Sequence, residues 1–318
     1  MAEPAHPRAT AIRSQLVLEV ASQMVLDRAF QVNQADVQLR AVGDASPELT
    51  LASRAGQSVY DQVAGGRLVM GFANPSAMLT LAARGIEPFE RPLPLRVVTV
   101  LPSADQLVFA VRGDVDIGCL EDMAERRIPL RISVRGDRDH AVHAILAHVL
   151  RACGFSYTDV AAWGGQIRFD PGMPATPQRM GAAEAGTVDA IFDEGAKSWV
   201  ARAIAAGMRI VGLREDTIRR LEQTGLRRAF LTAEQYPGLS DDVATVDFSG
   251  WPLYVRADES SDVVRRICAA LEARKALIAW QGTGPLPLDE MCADGPATPL
   301  DVPLHAAAAA FWRERGYC

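Results

Sequence analysis

The sequence predicts an α/β protein of two lobes with a ligand cleft between them, and three observations carry that reading. Its 318 residues suffice for two lobes of ordinary domain size, and 49% hydrophobic with 23% charged residues is a globular composition. Apolar runs of strand length alternate with stretches of helical length, the pattern of β-α-β units on mostly parallel sheets. One module, a helix, a Gly stop, an apolar strand and a polar turn, occurs twice, at Ser58–Ser76 and at Gln178–Lys197. In a two-lobed fold those two polar turns would face each other across the cleft.

The elements follow in order. Ser14–Phe30 reads as an amphipathic helix, Asp36–Val42 as a strand, and Gly43–Pro47 as a polar turn; Glu48–Ser53 is a short strand or part of the same connection. Ser58–Ala64 is a helix stopped by Gly65-Gly66. Leu68–Phe72 is continuously apolar, as a strand buried on both faces should be. Asn74-Pro-Ser76 breaks it and opens a helix. Leu95–Leu101 and Gln106–Arg112 are strands. Leu130–Val134 is the next strand, and Gly136–Asp139 is a loop leading into a helix over His140–Cys153. Strands at Gln166–Phe169, Val188–Phe192 and Arg209–Gly212 alternate with helices at Pro177–Ala185 and Lys197–Gly207. A long strand, Ala244–Val255, and helices at Ser261–Trp280 and His305–Arg315 complete the chain. The expected division is 1–112 with 246–318 in the first lobe and 113–245 in the second.

Composition excludes several function classes. A net charge of −6 offers no basic stripe for nucleic acid. No segment reaches the roughly 18 uninterrupted apolar residues of a membrane span. The polar start lacks the basic, apolar and small-residue succession of a secretory signal. The expectation is a cytoplasmic protein, or a periplasmic one if a signal has been lost. Cys119, Cys153, Cys268, Cys292 and Cys318 are odd in number, scattered and without a CxxC pair, which fits free thiols in a reducing compartment. Zinc spacing, Walker A, Gly-x-Ser-x-Gly and dinucleotide fingerprints are missing, so no metal or cofactor is expected.

Several segments together resemble the solute receptors of TRAP transporters of the TAXI type, which have the type II periplasmic-binding-protein fold. Tyr236-Pro-Gly-Leu-Ser-Asp-Asp-Val-Ala-Thr-Val-Asp247, running into Phe248–Arg256, is similar to that family's YPG…VPTV segment and the strand that returns to the first lobe. Pro303–Ala306 with Ala309–Gly316 is similar to its closing segment, and Val188–Gly195 to its VDA-F strand and hinge-side turn. The resemblance implies two Rossmann-like lobes joined by a two-strand hinge, closing around a small anionic organic ligand. If the protein is exported, it also implies membrane subunits of a transporter as partners. Two departures stand out. The Gly-rich strand-turn that usually precedes the first helix is lost or degraded. The second-lobe loop, usually small and Gly/Ser-rich, reads Ser133-Val-Arg-Gly-Asp-Arg-Asp-His140.

That charged loop supplies the first candidates. Arg135 or Arg138 could fork a carboxylate, aided by a helix N-terminus, or Asp137 and Asp139 could merely cap the helix with the arginines in solvent. Asp139 and His143, or His140 and His143, have helical spacing that could hold a metal, but no third ligand is evident. Asp193 and Glu194 could bind an amine or perturb each other for proton transfer, or form a solvated turn. Asn74 and Ser76 occupy the equivalent turn of the first lobe, as ligand contacts or helix caps. Trp163 and Trp251 are cleft walls or core. Ser58, at the start of its helix, accompanies backbone amides that could meet a ligand.

Two functions fit. One is a binding protein for an organic acid or amino acid that works by hinge closure. The other is a cytosolic lyase on the same fold, a decarboxylase or dehydratase acting on a small, possibly aromatic, carboxylic acid. There an arginine would clamp the carboxylate and His140, Asp193 or Glu194 would move the proton.

Overall fold

The computed structural model of the protein describes residues 9–27, 34–40, 49–53 and 56–318. The helices are α1 (Ala9–Leu26), α2 (Gln57–Ala64), α3 (Ser76–Arg84), α4 (Asp122–Arg126), α5 (Val142–Ala152), α6 (Tyr157–Ala162), α7 (Pro177–Glu184), α8 (Ala196–Ala205), α9 (Glu215–Thr224), α10 (Ser261–Arg274), α11 (Leu288–Met291) and α12 (Ala306–Glu314). The first lobe is built on a sheet of β1 (Asp36–Leu39), β2 (Leu49–Ala52), β3 (Met70–Phe72), β4 (Leu95–Leu101) and β12 (Trp251–Arg256), in the order β1-β2-β3-β12-β4. The second holds β5 (Val108–Arg112), β6 (Arg131–Arg135), β7 (Gln166–Asp170), β8 (Ala190–Asp193) and β9 (Met208–Val211), in the order β7-β6-β8-β5-β9. A ribbon of β10 (Arg228–Leu231) and β11 (Val243–Val246) lies outside both. This is the two-lobed α/β fold that the alternation predicts.

Neither sheet is mostly parallel, because of the antiparallel β1–β2 pair in the first and the hinge strands in both. β2–β3, β6–β7 and β6–β8 are parallel, as β-α-β units require. The strand that enters each lobe from the other, β12 in the first and β5 in the second, runs antiparallel to both of its neighbours. β5 therefore belongs to the second lobe, so the first crossing lies in the segment 102–107 and not after residue 112 as expected. The strand expected over Ala244–Val255 is two strands. The chain leaves β11, crosses between the lobes through Asp247–Gly250 and starts β12, with Gly250 at φ +76° in the left-handed region. The two crossings pair: Leu107 N–H donates to Val246 O at 3.0 Å and Phe248 N–H to Asp105 O at 3.0 Å.

Three apolar clusters hold this frame. One runs through both lobes, from Val59, Tyr60 and Leu81 to Phe109, Leu146 and Val149. The other two lie on the outer faces, around Trp312 in the first lobe and Trp199 in the second. Both tryptophans are almost fully buried, each burial stabilising by roughly 2–3 kcal/mol, and each indole N–H has a partner. Trp312 donates to Val98 O at 2.8 Å, and Trp199 to Glu194 O at 2.9 Å, which pins the turn after β8.

The predicted Ser261–Trp280 helix ends at Arg274, and α9 and β10 have no counterpart among the sequence expectations. The predicted turn Gly43–Pro47 and the end of the first helix at Phe30 lie outside the described residues.

Candidate functional site

The ends of strands from both lobes meet at a cleft. The first lobe contributes Phe72 and Asn74 after β3, Leu101 at the end of β4, Trp251 at the start of β12 and Gly56 at the start of α2; the second contributes Asp137, Asp139, His140 and Ala141 from the loop after β6. Together they line a cavity of about 760 Å³. Gly56, Asp139 and His140 also line a neighbouring space of about 680 Å³ that passes Gln57, Ser58, Arg138 and His143. Asn74 and Trp251 form the other boundary, beyond which a chamber of about 230 Å³ reaches the hinge and is lined by Asp105, Glu194, Lys197 and Ser198.

Under the second-lobe wall lies a buried charge network. Asp193 is fully buried between two arginines. Arg135 donates to it through Nε at 3.2 Å and Nη2 at 2.8 Å, and Nη2 also reaches Glu194 Oε1. Arg179, itself fully buried, donates through Nη1 to Asp193 and through Nε to Ser133 Oγ at 3.0 Å; Gly172 O and Ser133 O complete its shell at 3.1 and 3.3 Å. Burial of a charge is tolerable only when its partners are this complete.

Four helix N-termini reach the cleft, and three have acceptors. Asp105 on the first crossing accepts from Gly195 N–H at 2.8 Å and Ala196 N–H at 2.9 Å, capping α8 from outside the helix. This is possible because Gly195 sits at φ +78°, and a Cβ there would come within 2.7 Å of Met173 Cε. Val142 N–H of α5 donates to His140 Nδ1 at 3.2 Å, and Ser76 N–H of α3 to Ser249 O at 3.1 Å. The N-cap of α2 is Gly56, with no side-chain cap among the described residues.

The cleft perturbs its ionisable groups through desolvation. Burial pushes Glu194 up to about 7, with Arg135 opposing and a hydrogen bond to Asp105 reinforcing. Burial likewise raises Asp105, against the hydrogen bonds it accepts. His140 is lowered, first by burial and then by the Arg135 charge, and burial lowers His143.

Among the predicted site residues, Ser58, Asn74, Arg138, His140, Glu194 and Trp251 line the cleft. Four expectations require correction. Arg135 is no free clamp, because its Nε and Nη2 are held by Asp193 and Glu194. Asp193 cannot deliver a proton to a ligand: it is sealed behind that network. Ser76 is buried beneath Gly250 and lines none of the three spaces above. Trp163 closes α6 at the far end of the sheet, beside the start of β7, and packs on Phe155 at 5.6 Å. Arg138 lines the cleft, and its guanidinium carbon lies 3.6 Å from the centroid of the Phe169 ring. Asp105, Phe72 and Arg179 escaped the sequence reading. Only the position of Asp105 in the polar break before β5 hinted at a role. Among the described residues no group of three His, Cys, Asp or Glu is arranged for a metal.

No curated protein matches the chain. Among solved structures it is similar to the periplasmic aliphatic sulphonate binding protein SsuA from Escherichia coli, at 18% identity and a TM-score of 0.34, over 69% of this chain and 56% of that one. It is also similar to the periplasmic binding protein BugD, at 13% identity and a TM-score of 0.36, over 70% of each chain. A TctC solute binding protein from Polaromonas shows 14% identity and a TM-score of 0.33, over 64% of this chain and 62% of that one. The chain thus spans about 56% of the length of the Escherichia coli protein. No helix among the described residues is long and apolar enough to cross a membrane. The model of the NMT1-like family matches residues 41–316, from before β2 to the end of α12, and the chain belongs to that family.

Proposed function

We propose that the chain is a receptor for a small amphipathic carboxylic acid, amino acids included, of the TAXI solute-receptor type. The observation that carries this is the contrast among the helix N-termini at the cleft: first-turn amides of α8, α5 and α3 have acceptors from outside the helix, whereas at α2 only Val59 N–H has one among the described residues, Gly56 O at 3.0 Å, which leaves Gln57 and Ser58 N–H for a ligand. A carboxylate placed there would accept the free amides and lie at the positive end of the helix. Phe72, Leu101 and Trp251 beside it offer an apolar wall for the rest of the ligand. Asp137 and Asp139 across the cavity suit an ammonium or hydroxyl group, which favours an amino acid over a dicarboxylate. The carboxylate is therefore read by backbone amides, in place of the arginine clamp expected from the sequence.

The TAXI-like segments support the scaffold more than the ligand. Tyr236–Arg256 forms β11, the second crossing and β12. In Pro303–Gly316, His305 caps α12 by accepting from Ala307 N–H at 3.2 Å. The test is thermal denaturation and calorimetry with aromatic, aliphatic and dicarboxylic acids and the amino acids, followed by mass spectrometry of each mixture. An apolar amino acid should raise the melting midpoint, since ligand at a hundred times its Kd adds about 2.7 kcal/mol. A panel without any shift overturns the reading, and a chemically altered acid would replace it with the lyase.

A further inference from the structure

We infer that the hinge is proton-gated: a proton held between Glu194 and Asp105 keeps the first crossing clamped to α8, and its loss frees the crossing and opens the cleft. The geometry begins with Asp105, which belongs to the segment joining β4 to β5. Its carboxylate accepts from three backbone N–H groups, Gln106 at 2.8 Å, Gly195 at 2.8 Å and Ala196 at 2.9 Å. Its own backbone is tied to the second crossing: its N–H donates to Ser249 Oγ at 3.0 Å and its carbonyl accepts from Phe248 N–H at 3.0 Å. One residue thus fastens both crossings to the N-terminus of α8. Where the chain bends between the lobes depends on whether that fastening holds.

Glu194 immediately precedes the two amides that Asp105 caps, and both side chains line the hinge-side chamber, where each carboxyl group shifts the other's proton affinity. With the Asp105 oxygens occupied as acceptors, the proton of the pair belongs on Glu194. The charged and titratable groups around Glu194 come from every neighbouring element. They are Arg135 on β6, Asp193 on β8 with Arg179 of α7 behind it, Asp105 on the crossing, Lys197 on α8 and His140 in the loop after β6. Arg135 is shared with Asp193, so it does not neutralise Glu194 alone. When Glu194 ionises, two carboxylates meet at the clamp, and the repulsion is relieved by moving Asp105 off α8. Burial places this ionisation within the neutral range, at about 7. The group's folded-state value lies above that of an exposed glutamate, so the clamp is complete at low pH and is lost as pH rises through that range.

The inference rests on the cleft reading only in making ligand affinity follow the clamp, and its test uses ligand-free protein, so the two can fail separately. Hydrogen exchange of the Gly195 and Ala196 amides is followed from pH 5.5 to 8.5, each rate normalised to the unstructured chain at the same pH. Protection should be constant below about pH 6.5 and fall by up to about tenfold per pH unit above 7, the limit for release of one proton. Glu194→Gln keeps a donor for Asp105 and an acceptor for Arg135 without a charge, and should hold protection constant throughout. Flat protection in the wild type, or an undiminished fall in E194Q, overturns the proposal. If E194Q fails to fold, the wild-type profile decides, together with a carbon-13 titration of the Glu194 carboxyl. A midpoint of about 4.5, or one that does not coincide with the loss of amide protection, overturns it equally.

Discussion

The two walls of the cleft are built from opposite materials. The first lobe presents Phe72, Leu101 and Trp251 with the start of α2, which has no side-chain cap among the described residues. The second presents more charge, but its strongest charges face inward: Arg135, Arg179 and Asp193 satisfy one another behind the surface. A charged loop at a cleft is therefore no measure of how much charge a ligand would meet. In the second lobe the arginines and Asp193 organise the turn after β8, whereas the first lobe lines the cleft with apolar side chains and the start of α2. The same division explains why the hinge clamp belongs to the second lobe, where the organised turn offers Gly195 and Ala196 to Asp105.

The contrast can be broken from the second-lobe side first, with the largest effect. Arg179→Ala leaves Asp193 buried beside only one cation, and urea denaturation should show a loss of about 3–5 kcal/mol. A loss below about 1 kcal/mol would mean that water reaches Asp193 and that the network is not structural. On the first-lobe side, Trp251→Ala should leave folding largely intact and weaken the tightest apolar acid of the panel by about 2 kcal/mol, or roughly 30-fold, by calorimetry. An unchanged Kd would move the ligand away from this wall.

Between the walls, Asp247 of the second crossing is pushed up to about 6 by burial. Its raised value means that the folded state carries a penalty that grows as pH rises from the ordinary carboxylate value of about 4 to about 6 and is constant above. Asp247→Asn should therefore stabilise the protein by about 1–2 kcal/mol at pH 8, with the gain vanishing at pH 4. Equal melting curves at pH 8 would show that the site is hydrated. The smallest effect is expected at Ser58: Ser58→Ala should change affinity by less than about 0.5 kcal/mol, because the amides of α2 rather than the hydroxyl meet the acid. A tenfold loss would assign recognition to the side chain.

The fold was largely legible. Gly65-Gly66 and Asn74-Pro75 punctuate the first lobe, and Leu68–Phe72 reads as buried because an apolar run has few other places to go. The antiparallel entry of β5 and β12 was not legible, since apolar periodicity is the same in either strand direction. Ser58, Asn74, His140 and Glu194 lie at the cleft because they follow strands or open helices, and Trp251 because it starts the strand that enters the first lobe. Ser76, two residues past Asn74, failed because it lies one step further into α3, under Gly250. Trp163 failed because an aromatic residue beside paired glycines reads alike at either end of a sheet.

By itself the sequence determined most of the strand and helix positions, the duplicated strand-turn modules and the net negative charge, because these are local or compositional properties. The tertiary structure alone decided which charges face a ligand. Arg135 and Arg179 lie 58 and 14 residues from Asp193 along the chain, and only the folded sheet brings them within hydrogen-bonding distance. It also decided that Asp105, 90 residues from Gly195, caps α8 and fastens the hinge. Pairing energies depend on distance and burial in space, and neither is written in sequence separation.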